Sequence, residues 1–113
     1  MRVRNLLIII VLILLPSLTE AFDIYGRVRV KKSGQAAAYA EVIIDCFPTT
    51  KPVFTDGNGV YRFSDESVKT QCSISVIHND KRSNSFIIYM SENRTRANFD
   101  LEDRNGSWRL IRR

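Results

Sequence analysis

Two hydrophobic patterns divide the chain. An unbroken apolar run of ten residues spans Leu6–Leu15, whereas from Ile24 onward apolar and polar residues alternate. Alternation with a period of two is typical of strands with one buried face, because successive side chains point to opposite sides. The sequence therefore predicts a short leader followed by a β-rich domain.

The leader has the pattern of a secretory signal peptide. Arg2 and Arg4 precede the apolar run, Pro16 ends it, and Thr19 and Ala21 are the small residues that a signal peptidase reads. A membrane-spanning helix needs about 20 apolar residues, roughly twice the length of this run. No cysteine directly follows the run, which excludes lipid attachment at a mature N-terminal cysteine. We predict cleavage after Ala21 and an exported protein, periplasmic or secreted.

The alternating segments predict seven short strands between Ile24 and Leu101. One of them, Phe86–Met90, is apolar on both faces, which favours a central strand. Polar turns separate the segments and no apolar stripe has helical spacing, so we expect an all-β sandwich. The inward-facing positions are Ile24, Gly26, Val28, Val30, Ala40, Val42, Ile44, Cys46, Tyr61, Phe63, Cys72, Ile74, Val76, Ala97, Phe99 and Leu101.

These patterns divide the chain into three parts. We expect a signal peptide at 1–21, a sandwich domain at 22–103 and a basic C-terminal tail at 104–113. The tail interleaves Trp108 and two further apolar residues with arginines. The sequence leaves three interpretations of the tail open: an added strand, a cover over an open sheet edge, or a segment that contacts a partner.

The two cysteines, Cys46 and Cys72, both fall on inward-facing strand positions. In an exported chain a pair of cysteines most simply forms one disulfide. Closing a loop with a sequence separation of 26 would stabilise the fold by about 3 kcal/mol. A redox-active pair is the alternative, but the Cys-x-x-Cys spacing that favours this chemistry is missing.

The tetrapeptide Asp56–Gly59 predicts a tight structural turn. Asp56, Gly57, Asn58 and Gly59 all tolerate or favour turn conformations, and we expect a positive φ at one or both glycines. The segment also has some likeness to a calcium-binding loop. An EF-hand requires a further ligand and then a glycine where this chain has Val60 and Tyr61, so we predict no metal here.

Composition adds a positive charge to this picture. Seventeen basic and twelve acidic residues give a formal net charge of +5. A basic surface suits an acidic protein or an anionic envelope surface, although exposed charge also keeps strand faces soluble. An exported chain whose aromatic residues mostly point inward is not expected to bind nucleic acid. The candidate interaction residues, on the first strand and in the tail, are Arg27, Arg29, Lys31, Trp108, Arg109, Arg112 and Arg113.

No residue pattern indicates catalysis. One histidine, His78, and two cysteines cannot supply a zinc site built on several such ligands, and no serine has a partner base. We therefore expect no cofactor and no enzymatic activity. Asn93 and Asn105 begin glycosylation sequons, which matter only in a eukaryotic secretory pathway.

Five short motifs together resemble a known family. They are Gly26-x-Val28, the residues Gly34, Ala40 and Val42 of a Gly-x-Pro-x-x-Gly-Ala-x-Val pattern, Thr55-Asp56-Gly57-Asn58-Gly59-x-Tyr61-x-Phe63, Ile74-x-Val76 and Asn98-Phe99-x-Leu101. This combination resembles the carboxypeptidase regulatory-like domain. Ala36 and Tyr39 depart from it, since they stand where the family usually has proline and glycine.

The resemblance implies a seven-stranded, Greek-key, Ig-like or transthyretin-like β-sandwich. Such domains are typically non-catalytic and accompany a peptidase, a transporter plug or a surface protein. The related hydroxyisourate hydrolases need several histidines and a Tyr-Arg-Gly-Ser tail, neither of which this chain has. We expect an exported binding or structural module that acts through protein–protein contacts. An envelope-surface binder and, third, a small hydrolase are the alternatives, and the oligomeric state stays open.

Overall fold

The computed structural model describes residues 22–65, 70–90 and 92–113, which form ten β-strands and no helix. The predicted signal peptide and its cleavage site lie outside the described residues. The strands are β1 (Phe22–Val30), β2 (Glu41–Cys46), β3 (Thr49–Phe54), β4 (Val60–Asp65), β5 (Gln71–His78), β6 (Lys81–Arg82), β7 (Phe86–Tyr89), β8 (Arg94–Arg96), β9 (Phe99–Arg104) and β10 (Ser107–Arg112).

The strands form two five-stranded sheets. In the first sheet the order is β10-β9-β1-β4, and β8 pairs with β1 beside β9. Strand β1 is antiparallel to β4 on one side, while on the other it runs parallel first to β8 and then to β9. In the second sheet the order is β3-β2-β5-β6, and β7 also pairs with β5.

A single hydrophobic core lies between the two sheets and confirms the predicted β-sandwich. Almost every position that the alternation placed inward is buried, from Ile24 on β1 to Leu101 on β9. Burial of these side chains is the main stabilising contribution, at about 25 cal/mol for each Å² of apolar surface removed from water.

The number of strands differs from the prediction of seven. The three additional strands are β6, β8 and β10, of which β6 and β8 contain two and three residues. Both are built mainly from lysine and arginine, so they carry no apolar alternation that sequence reasoning could detect. Phe86–Met90 also departs from the expected central strand, because β7 pairs with β5 alone and exposes Ile87 and Tyr89.

Residues 104–113 join the first sheet instead of trailing it as a separate tail. Strand β10 is antiparallel to β9, and the two-residue turn between them is Asn105-Gly106. Both turn residues have positive φ, at 53° and 87°, as a type I′ hairpin turn requires. The pattern Trp108-x-Leu110 is thus the inward-facing half of an ordinary strand.

Strand β10 also connects the first sheet to the second. Trp108 is 8% exposed, and its indole Nε1–H donates a 2.7 Å hydrogen bond to the His78 carbonyl oxygen. The Lys81 ammonium lies 4.8 Å from the centre of the indole ring. The Leu110 amide donates to Asn84 Oδ1 at 2.8 Å. These contacts close one edge of the sandwich.

We predict that Leu110→Ala destabilises the fold while its neighbour Arg109→Ala does not. Leu110 is 2% exposed, and truncating a buried leucine costs about 2–5 kcal/mol. Arg109 is exposed on the other face of β10, where substitutions usually change stability by less than about 0.5 kcal/mol. Urea unfolding measures both variants, and equal midpoints would show that β10 is not part of the core.

The disulfide between Cys46 and Cys72 is present, as the sequence predicted. The cysteines face each other across the adjacent antiparallel strands β2 and β5, and both side chains are buried. No other cysteine occurs in the chain. Because disulfides persist in oxidising compartments, this bond agrees with export.

We predict that removing the disulfide lowers the stability of the fold. The double variant Cys46→Ala/Cys72→Ala should unfold about 3 kcal/mol more easily, because the unfolded chain regains the freedom of a 26-residue loop. Alkylation of the unreduced native protein, followed by mass measurement, should find no free thiol. Two alkylated cysteines would contradict the prediction.

The segment Thr55–Gly59 connects the second sheet to the first at the opposite edge. Buried Thr55 accepts a hydrogen bond from the Ala40 amide at 2.8 Å and donates one to the Ala37 carbonyl at 2.6 Å. Asp56 Oδ1 accepts from the amides of Asn58 and Val60 at 2.8 and 2.9 Å. These bonds fix the turn between β3 and β4.

Gly59 and Tyr39 have left-handed backbones around this turn. Gly59 has a φ of 76°, and a Cβ there would collide with the Val28 carbonyl oxygen. Tyr39 has a φ of 55°, in the left-handed region that glycine adopts more readily, and its side chain is 77% exposed.

We predict that Gly59→Ala destabilises the protein more than Gly57→Ala. The strain at Gly59 should cost about 1–3 kcal/mol, in addition to the collision with Val28. At Gly57 a new Cβ meets only the hydroxyl of the exposed Tyr39 side chain, at 3.2 Å. Thermal unfolding of the two variants provides the comparison, and an unchanged Gly59→Ala midpoint would exclude strain at this position.

Candidate interaction face

The outward side chains of the first sheet form a strongly basic surface, which we call the basic face. It lies on β1, β4, β8, β9 and β10 and contains nine cationic and three acidic residues. Its net charge of +6 exceeds the +5 of the whole chain. The cationic residues are Arg27, Arg29, Lys31, Arg62, Arg94, Arg96, Arg104, Arg109 and Arg113, and the acidic ones are Asp23, Asp100 and Glu102.

The structure brings five of the predicted interaction residues together and separates two. Arg27, Arg29 and Lys31 lie on β1 or directly after it, and Arg109 and Arg113 lie across β9 from them on the same face. The two others lie on the opposite face of β10. Trp108 is buried in the core, whereas Arg112 is exposed and donates from Nη2 to the Arg96 carbonyl at 2.9 Å.

Sequence reasoning missed four arginines of the basic face, namely Arg62, Arg94, Arg96 and Arg104. Arg62 could have been found, because it lies between Tyr61 and Phe63, whose inward parity was recognised. Arg94 and Arg96 lie on β8, where the register pairs them with Asp23 and Tyr25 of β1. Nothing in the three-residue segment signals a strand.

Asp100 holds two arginines near the centre of the basic face. Its Oδ1 atom accepts from Arg29 Nε at 3.2 Å and from Arg113 Nε at 3.0 Å. The Asp100 side chain is 12% exposed. Both guanidinium groups are therefore held in position across β1, β9 and the end of β10.

Asp23 organises the opposite end of the basic face. Ser64 donates to its Oδ1 at 2.6 Å, Arg62 donates to its Oδ2 at 3.0 Å, and Arg94 Nε lies 3.9 Å away. The Ser64 hydrogen bond is the largest influence lowering the pKa of Asp23, and the two arginines act in the same direction. The Arg94 guanidinium also lies 5.0 Å from the centre of the Tyr25 ring.

Glu102 neutralises the part of the face nearest the β9–β10 turn. It accepts from Arg104 Nε at 2.6 Å and from Lys31 Nζ at 3.1 Å. These two hydrogen bonds, that from Arg104 first, lower the pKa of Glu102. The acidic residues thus pair with cations at both ends and at the centre of the face.

A concave region of about 270 Å³ opens in the basic face, beside the point where β8 ends and β9 begins. Its lining includes Tyr25, Gly26, Arg27, Arg96, Asn98 and Arg113. Within residues 22–65, 70–90 and 92–113, neither Arg27 nor Arg96 forms an ion pair. Arg27 acts on Asp56 from a distance and contributes to lowering its pKa, after the backbone amides of Val60 and Asn58.

The described part of the chain contains no group of three or more potential metal-ligating side chains, and no helix long and apolar enough to cross a membrane. His78 packs against Trp108, with ring centres 6.1 Å apart, and partial burial lowers its pKa. It lies where the sheets meet at β10, away from the predicted turn at Asp56–Gly59.

Comparison with known proteins supports the fold. No family model and no curated protein matches the sequence. Among solved structures, the chain is similar to a DUF3823 family protein from Parabacteroides merdae ATCC 43184, with 13% sequence identity and a TM-score of 0.50. The similarity covers 83% of this chain and 47% of that chain, so it spans about half of the neighbour. At this identity it shows the β-sandwich fold alone.

We predict that Asp23→Asn lowers stability at neutral pH but not in acid. A carboxyl whose pKa is lowered by folding stabilises the native state above its unfolded pKa, here about 3.8. That contribution is lost as the pH falls through the lowered folded value. Urea unfolding should therefore show a difference from the parent chain at pH 7 that shrinks below about pH 4. A difference independent of pH would show that ionised Asp23 does not stabilise the fold.

Proposed function

We propose that this chain is an exported, non-catalytic binding module that uses the basic face to bind an acidic surface of another protein. The supporting observation is the distribution of charge, because one sheet face has a net charge of +6 whereas the entire chain has +5. Complementary charge across an interface raises association rates and selects against partners of the wrong sign.

The construction of the basic face supports a protein partner. Asp23 and Asp100 hold arginines in fixed positions on paired strands. The positive charges therefore have defined positions relative to one another, in addition to a large net charge. Ordered side chains lose less conformational entropy when they bind. A patterned face of this kind fits the fixed positions of carboxylates on a folded surface.

The exposed apolar side chains argue against membrane insertion through the same face. Interfacial membrane binders combine basic and large apolar residues on one surface. Here Val60 is the one large apolar residue exposed on the described part of the basic face. The others belong to the second sheet and to loops: Tyr39, Phe47, Phe54, Ile87 and Tyr89.

The finer assignment to a transthyretin-like, carboxypeptidase regulatory-like domain is part of this proposal. It is supported by the structural roles of the residues that carry the resemblance. Thr55 and Asp56 fix the turn between the sheets, and Tyr61 donates from its hydroxyl to the Ala97 carbonyl at 2.6 Å. A motif explained by folding agrees with a domain that binds and does not catalyse.

Binding to polyanions of different classes tests the proposal. The mature chain would be titrated with poly-L-glutamate, heparin and phosphatidylserine vesicles over a range of salt concentrations. We expect poly-L-glutamate to bind, with an affinity that falls as salt rises. Stronger binding to heparin or to the vesicles would overturn the protein partner in favour of an acidic glycan or the envelope surface.

Three charge variants locate the binding surface. Arg109→Gln removes a positive charge from the basic face and should weaken binding about two- to fivefold at low salt. Glu102→Gln removes a negative charge from the same face and should strengthen it. Lys51→Gln is the matched control, because Lys51 is exposed on β3 of the second sheet. Equal losses in the Arg109 and Lys51 variants would show that net charge, and not the basic face, governs binding.

A further inference from the structure

The concave region of the basic face has a floor of backbone atoms. Gly26 of β1 lies so close to the Ala97 carbonyl oxygen that a Cβ on residue 26 would collide with it. The same oxygen accepts the hydroxyl hydrogen bond of Tyr61 from the core side, and the Ala97 amide donates to the Tyr25 carbonyl at 2.8 Å. The strand backbone beneath the concavity is therefore fixed from the core side.

Asn98 presents a hydrogen-bond donor beside this floor. Its Oδ1 accepts the Arg27 backbone amide at 2.9 Å, which sets the orientation of the side-chain amide group. The Nδ2 group must then point the other way, and it has no acceptor among the described residues. Asn98 thus adds a pair of N–H donors to the lining of the concavity.

Two guanidinium groups without ion-pair partners complete the lining. Arg27 and Arg96 line the concavity but form no ion pair in the described part of the chain, unlike Arg29, Arg62 and Arg94. The Arg96 backbone is held by the hydrogen bond from Arg112. No aspartate or glutamate side chain lines this region, and of its three arginines Arg113 alone is paired, with Asp100.

We propose that this concavity binds a carboxylate, specifically a glutamate or aspartate side chain of the acidic partner. Arginine matches the planar geometry of a carboxylate with paired N–H donors. Asn98 Nδ2 supplies a further donor to the lone pairs of the carboxylate oxygens that the arginines leave free. The volume of about 270 Å³ is ample for such a group. This inference rests on the proposed function, and it identifies where the basic face would recognise an individual carboxylate of the partner.

NMR with acetate as the probe tests the site directly. Adding sodium acetate to the ¹⁵N-labelled mature chain should shift the Asn98 side-chain amide and the Arg27 and Arg96 Nε–H signals with one saturating curve. Sodium chloride at the same ionic strength is the control. If these signals respond equally to both salts, or do not saturate with acetate, the site is wrong.

Two variants separate the site from the general charge of the face. Arg96→Gln and Arg109→Gln remove the same charge from the same sheet face, but only Arg96 lines the concavity. Arg96→Gln should abolish the saturable shift and weaken poly-L-glutamate binding by about tenfold, against about two- to fivefold for Arg109→Gln. Equal effects would overturn the site.

Asn98→Asp provides a second, independent variant. Its carboxylate can still accept the Arg27 amide, but it replaces the donor with a negative charge. It should abolish the acetate response while circular dichroism and the melting temperature stay near those of the parent chain. If Asn98→Asp fails to fold, Arg96→Gln alone decides.

The two proposals can fail separately. Saturable acetate binding at the concavity without poly-L-glutamate binding would retain the site and overturn the acidic protein partner. Poly-L-glutamate binding that Arg96→Gln and Arg109→Gln weaken equally would retain the basic face and overturn the carboxylate site.

Discussion

The close approach of the Ala97 carbonyl to Gly26 is the constraint on which the first sheet depends. At this point β1 changes its parallel partner from β8 to β9 while keeping β4 on its other side. Any side chain at position 26 would push the β8–β9 segment away. Tyr61 secures the same carbonyl from the core, so a glycine and a buried phenol on paired strands hold the segment together. The outer face inherits its fixed pattern of charges from this junction.

The two edges at which the sheets meet are closed by different chemistry. On one side, buried Thr55 hydrogen-bonds to the loop that precedes β2, and the turn after it leads into β4. On the other side, Trp108 and Leu110 of β10 reach across to His78 and Asn84. Each edge uses polar bonds from buried or half-buried groups, because the apolar core alone does not fix how the sheets align. The Cys46–Cys72 disulfide acts within the second sheet instead.

The predictability of each element followed the strength of its local pattern. Long alternating segments such as Gln71–His78 were recognised because half of their positions must be buried. The disulfide could be predicted because both cysteines fall on inward-facing strand positions and the chain has an even number of cysteines. Strands β6 and β8 could not be predicted, since two or three charged residues carry no periodicity. Strand β10 could have been predicted, because Asn105-Gly106 is a strong hairpin signal between two alternating segments.

The candidate site was predictable only along single strands. Arg27, Arg29 and Lys31 share a face through their spacing, which is a local property. Their neighbours Arg96 and Asn98 come from a segment about seventy residues later, and only the parallel pairing of β1 with β8 and β9 brings them together. Sheet order is decided by core packing and connections across the whole chain, which the spacing of charges in one segment does not contain.

The concentration of charge on one sheet also makes the molecule an electric dipole directed across the thickness of the sandwich. Packed sheets lie about 10 Å apart, a distance similar to the screening length of about 8 Å at physiological ionic strength. A negatively charged body that approaches the second sheet therefore meets a largely screened field from the basic face. One that approaches the first sheet meets the same field without this screening. The molecule would rotate toward an acidic surface before touching it, so that the exposed Phe54, Ile87 and Tyr89 face away. Orientation would thus precede contact, and the more apolar second sheet would be left turned toward the solvent.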